Sequence, residues 1–446
     1  MAETTTEGER DLKRVLGIRE GLAILVGSII GVGILRTPGL VAGYLGDAGS
    51  ILGVWLLGAV VAWLSTLLLS EMTSTFPEAG GKYVYIKKAF GSTAGFVAGW
   101  SEFAGSRAFT AAAKAVVIAE YVILLAGRGS VPILALGVIL AFAMVHVGGI
   151  KVGTVFQNWT TVLKVLILAG IAAAGLSVGE ARGFTTSFTP ETGRLLGFAI
   201  SYQMVAFTFY GWEDAAKMAE EVRDPGRSLP WILLGGSAIV ALVYLLIIAS
   251  FLSALTPAEM ADSQVLVAQS AVASVFGERA GLFMVVAGIL IIMSTLNVNF
   301  LGMPRVAFAL ARDRMAPRAF TRVSKRGTPV PALLFATAIV LLLAVTGAFE
   351  LLIRFQMLIA ISVDTVMFLA YFRLRKLYPT VERPLRVPFY PLLPLFTVVL
   401  YVLILAVILY TQPELALGGA LIMGGFLVAG MITTRQRQMA IVGQGP

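Results

Sequence analysis

About twelve apolar runs, most of them near twenty residues long, follow one another along the chain with mostly short polar joins between them. They lie at 20–45, 51–75, 91–126, 131–149, 154–178, 195–221, 228–254, 280–311, 328–347, 351–372, 389–411 and 415–434. A helix needs about 20 apolar residues to cross a bilayer, and lipid leaves no unpaired backbone polar group unpunished. The sequence therefore reads as an all-α polytopic membrane protein of about twelve transmembrane helices, with no room for a separate soluble domain. Only 13% of the residues are charged, against about a quarter in soluble domains.

The formal charge of +9 raises the question of nucleic acid, but its distribution answers otherwise. Basic residues crowd the joins on one side: Lys82, Lys87 and Lys88; Arg312 to Arg326; and Arg373, Arg375, Lys376, Arg383 and Arg386. The opposite side has only Arg128, Arg182, Arg194 and Arg279. This is the positive-inside bias. It predicts a lipid bilayer and no nucleic acid as partner, an even number of crossings, and both termini in the cytoplasm, with tails at 1–19 and 435–446. The first apolar run is too long, and lacks a small-residue cleavage site, for a removed secretory signal. The expected location is the plasma (inner) membrane.

There is no cysteine, which excludes disulfides, thiolate nucleophiles and Cys-ligated metals. The single histidine, His146, cannot build a cluster and reads as a packing or interfacial residue. No P-loop, HExxH, GxSxG or dinucleotide-binding pattern appears. No enzyme activity, cofactor or metal is expected.

Two runs carry signs of interruption. In the first, Gly31-Val32-Gly33 stands mid-span, followed by Pro38; in the sixth, Gly211 stands mid-span. Glycine leaves helical geometry cheaply, and broken backbone at membrane depth is tolerated only against protein or a cavity. The breaks are five spans apart. Five crossings form an odd unit, so a second copy must enter inverted, and inverted repeats with broken helices mark a class of secondary transporters. The expected organisation is one repeat at 20–178, a second at 195–372, and two appended helices at 389–434. A half-helix N-terminus suits a carboxylate, and freed carbonyls suit an ammonium, so the geometry matches a zwitterionic amino acid. The competing reading makes Gly27 and Gly31 a GxxxG packing face, with Gly33 another small contact.

Around Gly211 lie Phe207, Tyr210, Trp212, Glu213 and Asp214. The rings also fit plain core packing. Ionised acids at that depth cost about 2.5–3.5 kcal/mol each unless they face protein or water, so at least one carboxyl should line a cavity or be protonated. Lys164 sits roughly 15 Å inside the fifth span by helical rise and needs an internal partner. Its ammonium can take a bound cation's place on freed first-span carbonyls and on Ser294, Thr295, Asn297 or Asn299, can carry a proton, or can serve as a fixed counter-ion. Arg107 and Lys114, one heptad apart in the third span, are expected to pair with Glu102 and Glu120; nothing near Asp364 in sequence neutralises it. The third span is long enough to tilt or protrude, and 256–279 holds a possible external surface helix, as a gate or as a connector.

These segments resemble the amino acid–polyamine–organocation superfamily, especially its L-type amino acid transporter-like members. GSIIGVGI with Pro38 is similar to the first-span pattern of that superfamily, and FTFYGWEDAAKMAEEVRDPGRSLP, 207–230, to its sixth-span pattern. Pro304-Arg305, Ala311-Arg312-Asp313, Glu382-Arg383-Pro384 and Val387-Pro388 extend the likeness over nearly the whole chain. The resemblance implies a LeuT-like five-plus-five inverted-repeat fold and alternating access. It implies substrate contacts at Ile30, Gly31, Val32 and Gly33, and Phe207 as an aromatic gate, with Tyr210 and Gly211 beside it. Lys164 looks like the lysine that replaces an ion in sodium-independent members, and Glu213 like a glutamate of proton-linked ones; Ser294 and Asn299 join this coupling group. Val32 stands where serine is common, so a hydroxyl contact is lost while its N–H remains. Asp224 replaces the usual asparagine. Lacking cysteine, the chain cannot form the disulfide link to a helper subunit that animal members use. The expected cargo is a neutral L-amino acid, with cationic amino acids or polyamines as the alternative. A non-transporting sensor would need a signalling domain, and a channel would need symmetric selectivity rings.

Overall fold

A computed structural model describes residue 14 and residues 16–78, 80–148, 150–178, 180–263, 267–324 and 327–442. Most of the two expected tails, 1–13 and 443–446, lies outside the described residues. All regular elements are helical; among the described residues the only β pairing is two isolated bridges, Leu16 with Val222 and Asp47 with Ser187.

Span 1 consists of two helices, Ile18–Ile29 and Val32–Leu45. Span 2 is Ala48–Thr75, begun by Asp47, whose Oδ1 accepts from the Ser50 N–H at 2.8 Å. Span 3 is Ser92–Ala126, span 4 Val131–Val147 and span 5 Ile150–Val178. Span 6 runs Arg194–Phe209, breaks, and resumes as a 3₁₀ turn, Ala215–Glu221. Spans 7 to 12 are Pro225–Ala254, Glu278–Arg312, Val330–Ala344, Phe349–Leu377, Leu392–Thr411 and Pro413–Val442.

Among the described residues nine helices are long and apolar enough to cross a membrane. Of the twelve segments read from hydropathy, spans 4, 6 and 9 fall short, with 17, 16 and 15 residues. Span 6 is short because its apolar run is cut at Tyr210, not at 221. Span 12 is longer than expected, its helix passing 434.

The spans differ in what they face. In span 10, 72% of the apolar window is buried, whereas in span 12 only 17% is. Spans 11 and 12 lie at the periphery, exposing Leu392, Phe396, Leu403, Leu417 and Leu421. A helix that is apolar on its exposed side suits lipid. The centre belongs to the two broken spans: the second half of span 1, Val32–Leu45, packs along span 6, and spans 3, 8 and 10 surround them.

Span 3 is helical throughout, and from Ser101 to Arg107 it widens into a π-helical turn. In such a turn residues five apart come into line, so Arg107 Nε reaches Glu102 Oε1 at 2.9 Å. The stretch after span 7 contains two helices, Pro257–Asp262 and Val267–Phe276. The first rests on the second half of span 1, where a Cβ at Gly39 would come within 2.8 Å of the Met260 carbonyl. His146 is buried between Phe142 and Phe300, with Nδ1 2.9 Å from the Phe142 carbonyl. That agrees with a packing role.

Candidate functional site

The first break is a change of direction at two residues. Helix Ile18–Ile29 stops, Ile30 turns extended at φ −68° and ψ 105°, and a new helix starts at Val32. Its glycines also make close contacts: a Cβ at Gly31 would lie 2.9 Å from Thr295 Cγ2, one at Gly33 2.7 Å from Thr208 Cα, and one at Gly27 2.8 Å from Thr161 Oγ1. Breaking and packing, set as rivals by the sequence, coexist here.

The break frees carbonyls, and two side chains from other spans claim them. Lys164, fully buried, donates to the carbonyls of Gly27 and Ile30, the latter at 3.0 Å, and to Ser294 Oγ at 3.4 Å. Ser294 is held in turn by Thr160 at 2.8 Å. The Tyr244 hydroxyl lies 3.0 Å from the Ile29 carbonyl and 3.2 Å from that of Thr208, within reach of both breaks. Tyr244 escaped the sequence reading; a single polar ring in the apolar run of span 7 was its only signal.

The second break turns at Tyr210 and Gly211. Gly211 has φ +120°, a region that residues with side chains rarely adopt. A Cβ there would also meet the Ser28 carbonyl at 3.1 Å. The two breaks therefore touch through backbone.

Below Gly211 lies a buried ionic cluster. Asp214 pairs with Arg107 and, at 3.0 Å, with Lys217; Glu213 lies 3.3 Å from Arg107 and 3.7 Å from Lys82; Lys217 reaches Glu102 at 2.6 Å. Lys82 also meets Asp364 at 2.5 Å and donates to the Tyr210 hydroxyl. Lys82, read as one of the inside-loop basic residues, is 2% exposed and belongs to this cluster. It starts the short helix Lys82–Phe90, whose far end is tied by Lys87 to Asp313 at 2.6 Å.

Pairing along span 3 differs from expectation. Arg107 does pair with Glu102, but Glu120 pairs with Arg36 of span 1, and Lys114 has no ion pair among the described residues. Six residues of α-helix turn through about 600°, which leaves Lys114 and Glu120 on different faces. Lys114 donates instead to the Thr295 carbonyl at 3.2 Å and Asn299 Oδ1 at 3.0 Å.

Between the breaks and span 3 is a cavity. Of the residues expected to meet substrate, Gly31, Val32, Gly33, Phe207, Tyr210 and Gly211 line it; Ile30 does not, because its carbonyl turns back to Lys164. Arg107, Lys114, Thr295, Asn299 and Asp214 also line it. Asp214, not Glu213, faces the cavity. Of the coupling group, Ser294 stands beside Lys164, Asn299 goes to Lys114, and Glu213 turns toward Lys82. Phe207 meets Phe349 edge-on at 6.1 Å, and the Arg36 guanidinium stacks 4.5 Å above the Phe349 ring. Phe207 is thus backed by a ring that itself carries a cation on its face.

Residues 16–432 match the family model described as amino acid permease. Among similar proteins, the serine/threonine exchanger SteT of Bacillus subtilis (strain 168) is 28% identical, over 87% of this chain and 90% of its own. The Asc-type amino acid transporter 1 of Homo sapiens is 27% identical, over 92% and 80%. The large neutral amino acids transporter small subunit 2 of Mus musculus is 28% identical, over 90% and 77%. With the match running through both breaks and every span between them, the chain belongs to the amino acid permease family.

Proposed function

We propose that this chain is a sodium-independent secondary transporter, an exchanger or proton-linked carrier, that moves amino acids, chiefly neutral L-amino acids, by alternating access. The observation that carries the reading is Lys164 seated on the carbonyls of Gly27 and Ile30. A fixed ammonium supplies there the positive charge that a coupling cation would bring, and it does so without a metal. The cavity beside it has the mixed character of ligand sites, largely apolar with a few convergent polar groups. In this reading the N–H groups from Gly31 to Gly33, at the start of a half-helix, take the substrate carboxylate, carbonyls at the two breaks take its ammonium, and Phe207 covers it. The names of the relatives, an exchanger and a large neutral amino acids transporter among them, support both the cargo and the cycle.

Residues 20–178 and 195–372 are proposed as the two inverted repeats, with 389–434 appended. Both termini are assigned to the cytoplasm and the protein to the plasma (inner) membrane, on the positive-inside bias. Any helper subunit would have to bind without a disulfide, since the chain has no cysteine. Cationic amino acids or polyamines find support in Asp214, the one carboxylate among the described residues that line the cavity, but Arg107 already pairs with it.

Counterflow of labelled serine, alanine, leucine, lysine and putrescine into proteoliposomes tests this, with and without sodium and a pH gradient. Exchange of a neutral amino acid without sodium is expected. No uptake of any compound sinks the transport reading, and a strict sodium requirement sinks the role given to Lys164.

A further inference from the structure

We infer that Lys114 sets side-chain selectivity in the cavity: it donates to substrates whose side chain offers a hydrogen-bond acceptor and rejects those whose side chain is cationic. The inference rests on the amino acid transport reading and names the cargo within it.

Charge comes first. Three ionisable side chains line the cavity: Arg107, Lys114 and Asp214, apart from the Tyr210 phenol. Arg107 and Asp214 form an ion pair and cancel. Lys114 is left buried, 7% exposed, with no carboxylate partner among the described residues, and is held by the Thr295 carbonyl and Asn299 Oδ1. The other buried cations differ from it in kind: Lys82 and Arg107 face carboxylates, and Lys164 stands behind the first break, off the cavity.

Donor capacity comes second. An ammonium has three N–H groups and no acceptor. Two are used, and the third has no protein acceptor among the described residues. A hydroxyl, amide or carboxylate side chain supplies that acceptor. An alkyl side chain does not, and a lysine or arginine side chain adds a second positive charge in a space of low dielectric, where like charges repel strongly.

Position comes third. Lys114 bonds the carbonyl of Thr295, and Thr295 Cγ2 is the atom that a Cβ on Gly31 would strike at 2.9 Å. The ammonium is thus held by span 8, through Thr295 and Asn299, and not by the backbone of the breaks proposed for the α-carboxylate and ammonium, so a side chain that extends from that backbone toward spans 3 and 8 meets it.

The test is competition in counterflow, run with whichever of labelled serine, alanine or leucine exchanges best. Norleucine matches the lysine side chain without its ammonium; glutamine adds an acceptor. On the wild type, norleucine should compete at least tenfold better than lysine, and glutamine at least as well as norleucine. Lys114→Gln should shift the lysine to norleucine ratio at least fivefold toward lysine, and Lys114→Glu further. Lysine competing within twofold of norleucine on the wild type, glutamine competing more weakly than norleucine, or a ratio unmoved in Lys114→Gln would overturn the inference. If neither variant elutes as a single species, the wild-type comparison decides alone. No exchange of any amino acid is a different result, and it removes the transport reading itself.

Discussion

The two breaks face the same physical problem and meet it in opposite ways. Span 1 frees carbonyls and satisfies them with neutral or singly charged donors: Lys164 and Tyr244, each sent across from another span. Span 6 places carboxylates at its break and must neutralise them, which takes Arg107, Lys217 and Lys82 together. The first solution is a few hydrogen bonds to dipoles. The second is a network of full charges in which each member depends on the rest. Losing one bond at the first break leaves a carbonyl unpaired; losing one charge at the second leaves an ion stranded in a buried site.

Variants should separate the two by size of effect. Lys82→Met strands Asp364, which has no other ion-pair partner among the described residues, and removing one partner of a buried pair costs about 3–5 kcal/mol. A large fall in detergent thermal stability is expected, partly restored in the double variant Lys82→Met/Asp364→Asn. If the double variant is no better than the single one, the coupling claimed for the second break is wrong.

Lys164→Met removes charged hydrogen bonds worth about 1.5–3 kcal/mol each. Its expected signature is loss of exchange by about a hundredfold in a protein that still elutes as a single species. Retained exchange would mean the first break holds without its cation.

Glycine-to-alanine changes contrast the breaks at the level of backbone. Gly211→Ala combines a disfavoured φ of +120° with a Cβ 3.1 Å from a main-chain oxygen, for a cost of about 1–2 kcal/mol. Gly31→Ala meets a side-chain methyl that can rotate away, so its melting temperature should fall less. The reverse order would show that the Gly211 turn is not what positions the second break.

The smallest effect concerns the latch at the end of helix Lys82–Phe90. Burial raises the Asp313 carboxyl, but hydrogen bonds from Lys87 and Tyr83 and the Lys87 charge outweigh it and hold the group below the usual range. A lowered carboxyl stabilises the fold above its unfolded value of about 3.9, and the contribution disappears as pH falls through the folded value. The stability difference between wild type and Asp313→Asn should be constant near neutrality and shrink below about pH 4. A difference that persists there would assign the latch to packing.

How much of this was legible beforehand follows the reach of each interaction. Both breaks were visible because glycine at membrane depth is a local signal, and Lys164 because a lysine ten residues into an apolar run needs a partner wherever it lies. Lys82 shows the limit: beside Lys87 and Lys88 it reads as a loop residue, and its partner Asp364 is far off in the chain. Proximity in sequence suggests pairing Glu120 with Lys114, which the helical turn forbids. Tyr244 offers only a weak local signal, a polar ring in an apolar run, since tyrosine in such a span is ordinary. The resemblance puts Ile30 at the substrate, and in the structure its carbonyl accepts from Lys164.

Tyr244 has one hydroxyl hydrogen and two carbonyls to give it to, at 3.0 and 3.2 Å. It can donate to only one at a time, so one carbonyl of the pair is always in waiting. Spans 1 and 6 can then exchange that hydrogen by rotation of a single C–O bond, with no bond made or lost in sum. A seam with such an idle acceptor opens with less resistance than one sealed on both sides.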